Sequence, residues 1–199
     1  MEKTKIAVLV SGGGTNLQAL IDAQEAGKLK SGKIVLVVSN KEGAYALERA
    51  GKAGIPALTL TRKACGSQEA FEAALQAALE EAGTELIILA GFLSILSGEF
   101  TKKWPERIIN VHPALIPSFC GEGYYGLKVH EAALARGVKL TGATVHFVNE
   151  VPDGGEIIAQ KAVRVHPGDT PEKLQKRVMR QAEWKLLPAA IEEICAKLS

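Results

Sequence analysis

Lys5-Ile6-Ala7-Val8-Leu9-Val10-Ser11-Gly12-Gly13-Gly14-Thr15-Asn16-Leu17-Gln18 is the stretch that decides the fold. From Ile6 to Val10 it is apolar without polar alternation, which predicts a strand buried on both faces. Ser11 and three glycines end the strand, and a helix is expected from about Asn16 to Ala26. At such a turn, backbone N–H groups and the helix dipole favour an anion. Glycines let the backbone close on an oxyanion with no Cβ in the way. The same turn also serves as a tight connection with no ligand, so the motif alone leaves both readings open. A dinucleotide fits poorly, because Leu17 stands where the third glycine of that fingerprint belongs. The next strand also ends in Ser39-Asn40-Lys41 and not in an acidic residue, and there is no Walker lysine. A phosphate monoester suits the loop better than NAD.

Outward from this unit, short apolar runs alternate with longer amphipathic ones, the pattern of βαβ units. Strands are expected at Lys33–Ser39, Pro56–Leu60, Glu85–Ala90 and Arg107–His112, with a helix at Ala44–Ala53. Ser67 reads as the N-cap of a helix running to Ala82, with Phe71 and Leu75 on one face. A helix at Lys128–Arg136, strands at Thr141–Phe147 and Ile157–Val165, and one long helix from Pro171 complete the pattern. The fold class is therefore α/β, a doubly wound, mostly parallel, Rossmann-like sheet with an antiparallel edge from the later strands. No repeat or linker interrupts it, and residues 1–199 are expected to form one domain.

Composition supports an ordinary globular protein: 47% of residues are hydrophobic, 23% are charged, and the formal net charge is +2. That charge gives no footprint for nucleic acid. No apolar run is long enough to span a bilayer and no signal-peptide pattern opens the chain, so a cytoplasmic protein is expected. Cys65, Cys120 and Cys195 are odd in number, far apart and without a CxxC pair, which argues against a disulfide framework or a metal site.

Two further constellations bear on chemistry. Asn110-Val111-His112-Pro113 ends a central strand, where ligands bind in open parallel sheets. Asn110 and His112 alternate along that strand, so both side chains share one face and offer two donors to a developing oxyanion. A histidine in this place is as readily structural. Asp153, in Val151-Pro152-Asp153-Gly154-Gly155, reads either as an Asx-turn residue or as a partner for His112 that raises its pKa. His146 reads as a residue that orders the site, His130 and His166 as surface residues, and Trp104 and Trp184 as packing.

Taken in order, Ser11–Gln18, Val38-Ser39-Asn40, Leu89-Ala90-Gly91-Phe92, Asn110–Pro113, Leu115-Ile116-Pro117, Thr144–Val148 and Asp153-Gly154-Gly155 carry a resemblance. Together they resemble the phosphoribosylglycinamide formyltransferases, a folate-dependent family of purine synthesis, from about Lys5 to Pro188. The resemblance implies transfer of a formyl group from 10-formyltetrahydrofolate, as co-substrate and without a metal, to glycinamide ribonucleotide. It implies catalytic roles for Asn110, His112 and Asp153, with Asp153 keeping His112 protonated. It implies that Gly14, Thr15, Asn16 and Leu17 hold phosphate and ribose, and that Glu183 grips the amine, with one extra residue nearby in this sequence. Gln68, Leu93, Ser94, Ile95, Leu96 and Asn110 would line the folate side. Ser94 and Gln68 stand where basic residues are common, and Ala114 replaces a frequent Ser. Partners are expected to be small molecules only, for a monomer or homodimer.

Rivals with the same donor, a tRNA formyltransferase and a formyltetrahydrofolate hydrolase, carry further domains that 199 residues do not accommodate. A non-catalytic nucleotide-binding module would leave Asn110, His112 and Asp153 without a purpose.

Overall fold

The computed structural model describes residues 2–198. In chain order, β1 (Thr4–Val10) leads to α1 (Thr15–Glu25), β2 (Gly32–Ser39), α2 (Tyr45–Lys52), β3 (Ala57–Thr59), α3 (Arg62–Cys65) and α4 (Gln68–Glu81). There follow β4 (Leu86–Leu89), α5 (Gly98–Thr101), β5 (Ile108–His112), α6 (Leu127–Arg136), β6 (Leu140–Phe147) and β7 (Ile157–Arg164). The chain closes with α7 (Pro171–Val178), a π-helical turn (Met179–Glu183) and α8 (Trp184–Leu198).

The strands form one sheet in the order β3-β2-β1-β4-β5-β6-β7. The pairs among β1 to β5 are parallel, whereas β6 runs antiparallel to both β5 and β7. The α/β sheet and its antiparallel edge are as the sequence predicts. Strand order reverses at β1, with β2 and β3 on one side and β4 and β5 on the other. A crevice therefore opens at the carboxyl ends of β1 and β4, the position where such sheets bind ligands.

The apolar run of β1 is explained by two cores. Ile6, Val8 and Val10 pack with Leu17 and Leu20 of α1 and Leu187 and Ile191 of α8, while Ala7 and Leu9 pack with Phe71, Leu75 and Leu79 of α4. Burial of each large aliphatic side chain contributes about 1.5–3 kcal/mol, so neither face tolerates a polar residue. The Ser67 hydroxyl accepts from the Ala70 N–H and starts α4 where expected.

The structure departs from expectation in three places. The short helices α3 and α5 fall in stretches that carry no periodic signal, and β3 holds only three residues. The C-terminal helix runs without a break as expected, but its winding is not uniform. Buried Leu174, Val178, Ala182, Leu187 and Ile191 are spaced four, four, five and four residues apart. The step of five crosses the π turn, where a wider turn absorbs one additional residue and keeps the stripe on the core.

The third departure is His130, expected at the surface and in fact 0% exposed. It lies on the inward face of α6 with Val129 and Ala133, and neither ring nitrogen has a hydrogen-bond partner. Burial, helped by the nearby His112, pulls its pKa from 6.5 to about 4. In the unfolded chain His130 takes a proton near pH 6.5, whereas folded it stays neutral to about pH 4. Its contribution to stability is therefore complete above pH 6.5 and lost as pH falls through that window, by up to about 1.4 kcal/mol per pH unit. Thermal melts from pH 7 towards pH 4 should drop more steeply for the wild type than for His130→Gln. Parallel curves would mean that His130 is not held neutral.

Candidate active site

The glycine loop joins β1 to α1. Gly14 adopts a left-handed conformation, φ 69°, and a Cβ there would lie 2.6 Å from the Ala46 Cβ. Only glycine meets both conditions. The first helical bond runs from Gln18 N–H to Gly14 O at 2.9 Å, so the N–H groups of Thr15, Asn16 and Leu17 have no intrahelical acceptor. The Leu17 side chain is committed to the core, leaving its backbone to face a ligand. Asn16 Nδ2 donates to Glu183 Oε2 at 2.7 Å, which joins the glycine loop to the π turn across the whole sequence. Glu183 is only 6% exposed; burial raises its pKa, and the Asn16 hydrogen bond partly opposes that. Arg49 of α2 completes this end, donating from Nε to Gly13 O and from Nη1 to Gln18 Oε1, each at 2.8 Å. No motif in the sequence marks Arg49.

Asn110 and His112 sit at the end of β5 on the face shared with Ile108, as strand alternation requires. Across the antiparallel pair, Asn110 stands opposite His146 and His112 opposite Thr144. Asn110 Nδ2 lies 3.1 Å from His146 Nε2, and His146 Nδ1 lies 2.8 Å from Phe147 O. A carbonyl only accepts, so His146 carries a proton on Nδ1. The loop after β6 folds back because Gly155 lies against the Phe147 carbonyl, where a Cβ would come within 1.8 Å of the oxygen. This return brings Asp153, itself at φ 54°, to the two histidines. Its carboxylate lies 3.5 Å from His112 Nδ1, 3.5 Å from His146 Nε2 and 3.5 Å from Asn110 Nδ2. Its firmest bond, 2.8 Å, comes from the Gly121 N–H. Asp153 thus ties the β5–α6 loop to the β6–β7 loop.

His112 Nε2 donates to the Phe119 carbonyl at 2.8 Å, so both its ring nitrogens face acceptors. That arrangement suits an imidazolium, but burial outweighs it. Burial pulls the His112 pKa below its ordinary value; Asp153 and the Phe119 carbonyl push it up, and His146 pulls it down. Asp153 acts on His112 in the direction the sequence reading expects, raising its pKa, while burial sets the net direction below the ordinary value. Asp153 itself is held below the usual carboxylate range: burial raises its pKa, but hydrogen bonds from His146 and Gly121 and the nearby histidines prevail.

On the other side of the crevice, residues 92–97 are pinned at several points. Leu93 N–H donates to Ser11 Oγ at 2.8 Å, Asn40 Nδ2 to Ser94 Oγ at 2.6 Å, and Gln68 Nε2 to Ile95 O at 3.2 Å. Buried Glu72 accepts from Gln68 Nε2 and from the Ser97 N–H. Leu93 and Ile95 are left 64% and 68% exposed, an apolar rim open to a ligand, whereas Leu96 points into the core. The Leu96 side chain thus anchors the segment, leaving its backbone to face a ligand.

A sequence profile of the formyl transferase family matches residues 4–191. The chain belongs to the formyl transferase family. This formyl transferase is 48% identical over 194 residues to the trifunctional purine biosynthetic protein adenosine-3 of Gallus gallus, covering 98% of this chain and 19% of that protein. It is 40% identical to a phosphoribosylglycinamide formyltransferase of Haemophilus influenzae, covering 94% of this chain and 85% of the other. The solved glycinamide ribonucleotide transformylase 1 from Symbiobacterium toebii superposes with a TM-score of 0.91 at 41% identity, over 98% of this chain and 89% of that one. Phosphoribosylglycinamide formyltransferase from Brucella melitensis gives 0.90 at 42% identity, over 98% and 97%. Among the described residues of this formyl transferase, no helix is long and apolar enough to cross a membrane.

Proposed function

We propose that the chain is a cytoplasmic phosphoribosylglycinamide formyltransferase of purine synthesis, one formyltransferase unit that moves the formyl group of 10-formyltetrahydrofolate to the amine of glycinamide ribonucleotide. The observation that carries this reading is the meeting of Asn110, His112 and Asp153 at the end of β5, with His112 Nδ1 and Asn110 Nδ2 each 3.5 Å from the Asp153 carboxylate. Named relatives and the anion-suited glycine loop support it.

In the proposed reaction the neutral amine attacks the formyl carbon and a C–N bond forms. The carbonyl electron pair moves to oxygen, giving a tetrahedral oxyanion. Asn110 Nδ2 and His112 Nε2 stabilise that oxygen from the β5 face. Collapse breaks the bond to the folate nitrogen, which takes a proton from protonated His112 directly or through a water, while the attacking nitrogen, cationic after addition, gives up a proton that returns to His112 or to water. Asp153 raises the His112 pKa against the effect of burial and so favours the protonated ring that this step uses. For Nε2 to serve the substrate, the Phe119 carbonyl that now accepts from it must give way. Gly14 to Leu17 hold the phosphate and ribose end, Glu183 the amine, and Leu93 to Ile95 with Gln68 the folate side. Much of the acceleration comes from positioning two substrates in one crevice.

The test is tetrahydrofolate release from 10-formyltetrahydrofolate, followed spectrophotometrically with and without glycinamide ribonucleotide. Release that depends strictly on the ribonucleotide is expected. Release without it would make the protein a hydrolase, and none under either condition would refute the reading.

A further inference from the structure

We propose that Arg49 is a positioning residue that sets affinity for the phosphorylated substrate by aiming the backbone of the glycine loop; this rests on the reading of that loop as the phosphate end. Two successive loop carbonyls are turned towards α2. Gly12 O accepts from the Ala46 N–H at 3.0 Å, and Gly13 O accepts from Arg49 Nε at 2.8 Å. A trans peptide carries its C=O and its N–H on opposite sides. Drawing those carbonyls to α2 therefore turns the N–H groups of Gly13 and Gly14 away from it. Successive N–H groups aimed to one side form an anion-binding concavity, continued by the free N–H groups at the start of α1. The space beside Gly12 and Gly13 is open, since a Cβ built at either meets nothing within 4 Å.

Of the two anchors, the Ala46 N–H is backbone and survives any substitution, so Arg49 is the one that the sequence sets. Its guanidinium is fixed from three directions. Nη1 donates to Gln18 Oε1 at 2.8 Å on α1, and the group lies 4.9 Å from the centroid of the Tyr45 ring. With Nε and one Nη1 proton engaged, three N–H donors remain beside the loop. A lysine would keep the charge but has no planar fork to hold Gly13 and Gln18 together.

Steady-state kinetics of Arg49→Gln and Arg49→Lys test this. The KM for glycinamide ribonucleotide is expected to rise about tenfold to a hundredfold in Arg49→Gln. The kcat, the KM for 10-formyltetrahydrofolate and the melting temperature should stay near wild type. Arg49→Lys should recover only part of the loss. An unchanged KM, full recovery by lysine, or an equal rise in both KM values with a lower melting temperature would each overturn the proposal. A titration with inorganic phosphate separates its failure from failure of the formyltransferase reading. Amide shifts of Gly13 to Leu17, followed by NMR, should saturate at higher phosphate in Arg49→Gln than in wild type, whatever the enzyme turns over. Equal midpoints, or no binding by the wild type, would also overturn it.

Discussion

Replacing His112 by asparagine is expected to lower kcat by about a hundredfold to ten-thousandfold while both KM values stay within a few-fold. The two roles proposed for His112, donor to the oxyanion and source of the proton for the departing nitrogen, both operate in the transition state and not in substrate binding. Asparagine keeps an amide donor on the same face of β5 but supplies no titratable proton. The fold should survive, because the ring is seated on a strand paired on both sides by β4 and β6. Circular dichroism and a melting curve near wild type, together with single-turnover rates, make the measurement. Near-normal turnover in a folded variant would remove His112 from the mechanism.

The second large effect belongs to Asp153→Asn, for which kcat should fall by a similar order, about a hundredfold or more. Asparagine is nearly isosteric and retains an oxygen for the Gly121 N–H, so the junction of the two loops persists. What disappears is a negative charge 3.5 Å from His112 Nδ1. That charge favours the protonated ring, so removing it must move the His112 pKa lower still. Imidazole NMR titrations should show the His112 midpoint below the ordinary histidine value in the wild type and lower again in Asp153→Asn. A midpoint that stays put or rises would show that Asp153 acts only as a loop tie.

Much of this site was legible because strand periodicity is rigid. Once Arg107 to His112 reads as a strand, Asn110 and His112 must share a face, and the structure places them so. The glycine loop was equally legible, since three glycines between an apolar run and a helical period mark a tight strand-to-helix turn that other residues cannot make. Asp153 was legible only as a possibility. Its approach to His112 depends on the fold-back at Gly155 and on the register of β5 against β6, neither of which is encoded locally. Glu183 was placed by resemblance, and its hydrogen bond to Asn16 joins residues that no spacing rule connects. Arg49 and Glu72 stayed hidden because a charged residue on a predicted helix reads as a solvated face. Their partners are a loop carbonyl and a distant serine. His130 misled for the converse reason, being a polar residue type on the inward face of its helix.

The π turn at Met179–Glu183 makes the amine end of the crevice depend on how many residues the chain contains there, and not only on which they are. Point substitution leaves that count alone; a single-codon deletion does not. Losing any one residue between Met179 and Ala182 would let the turn tighten to ordinary α-helical winding and shift Glu183, which stays joined to α8, relative to α7. Its carboxylate would then leave Asn16, although every functional side chain was still present. A gap in this segment of an alignment is therefore not neutral length variation but a change in the reach of the carboxylate, and a library that permits deletions would find here a fault line that substitution scanning cannot reveal.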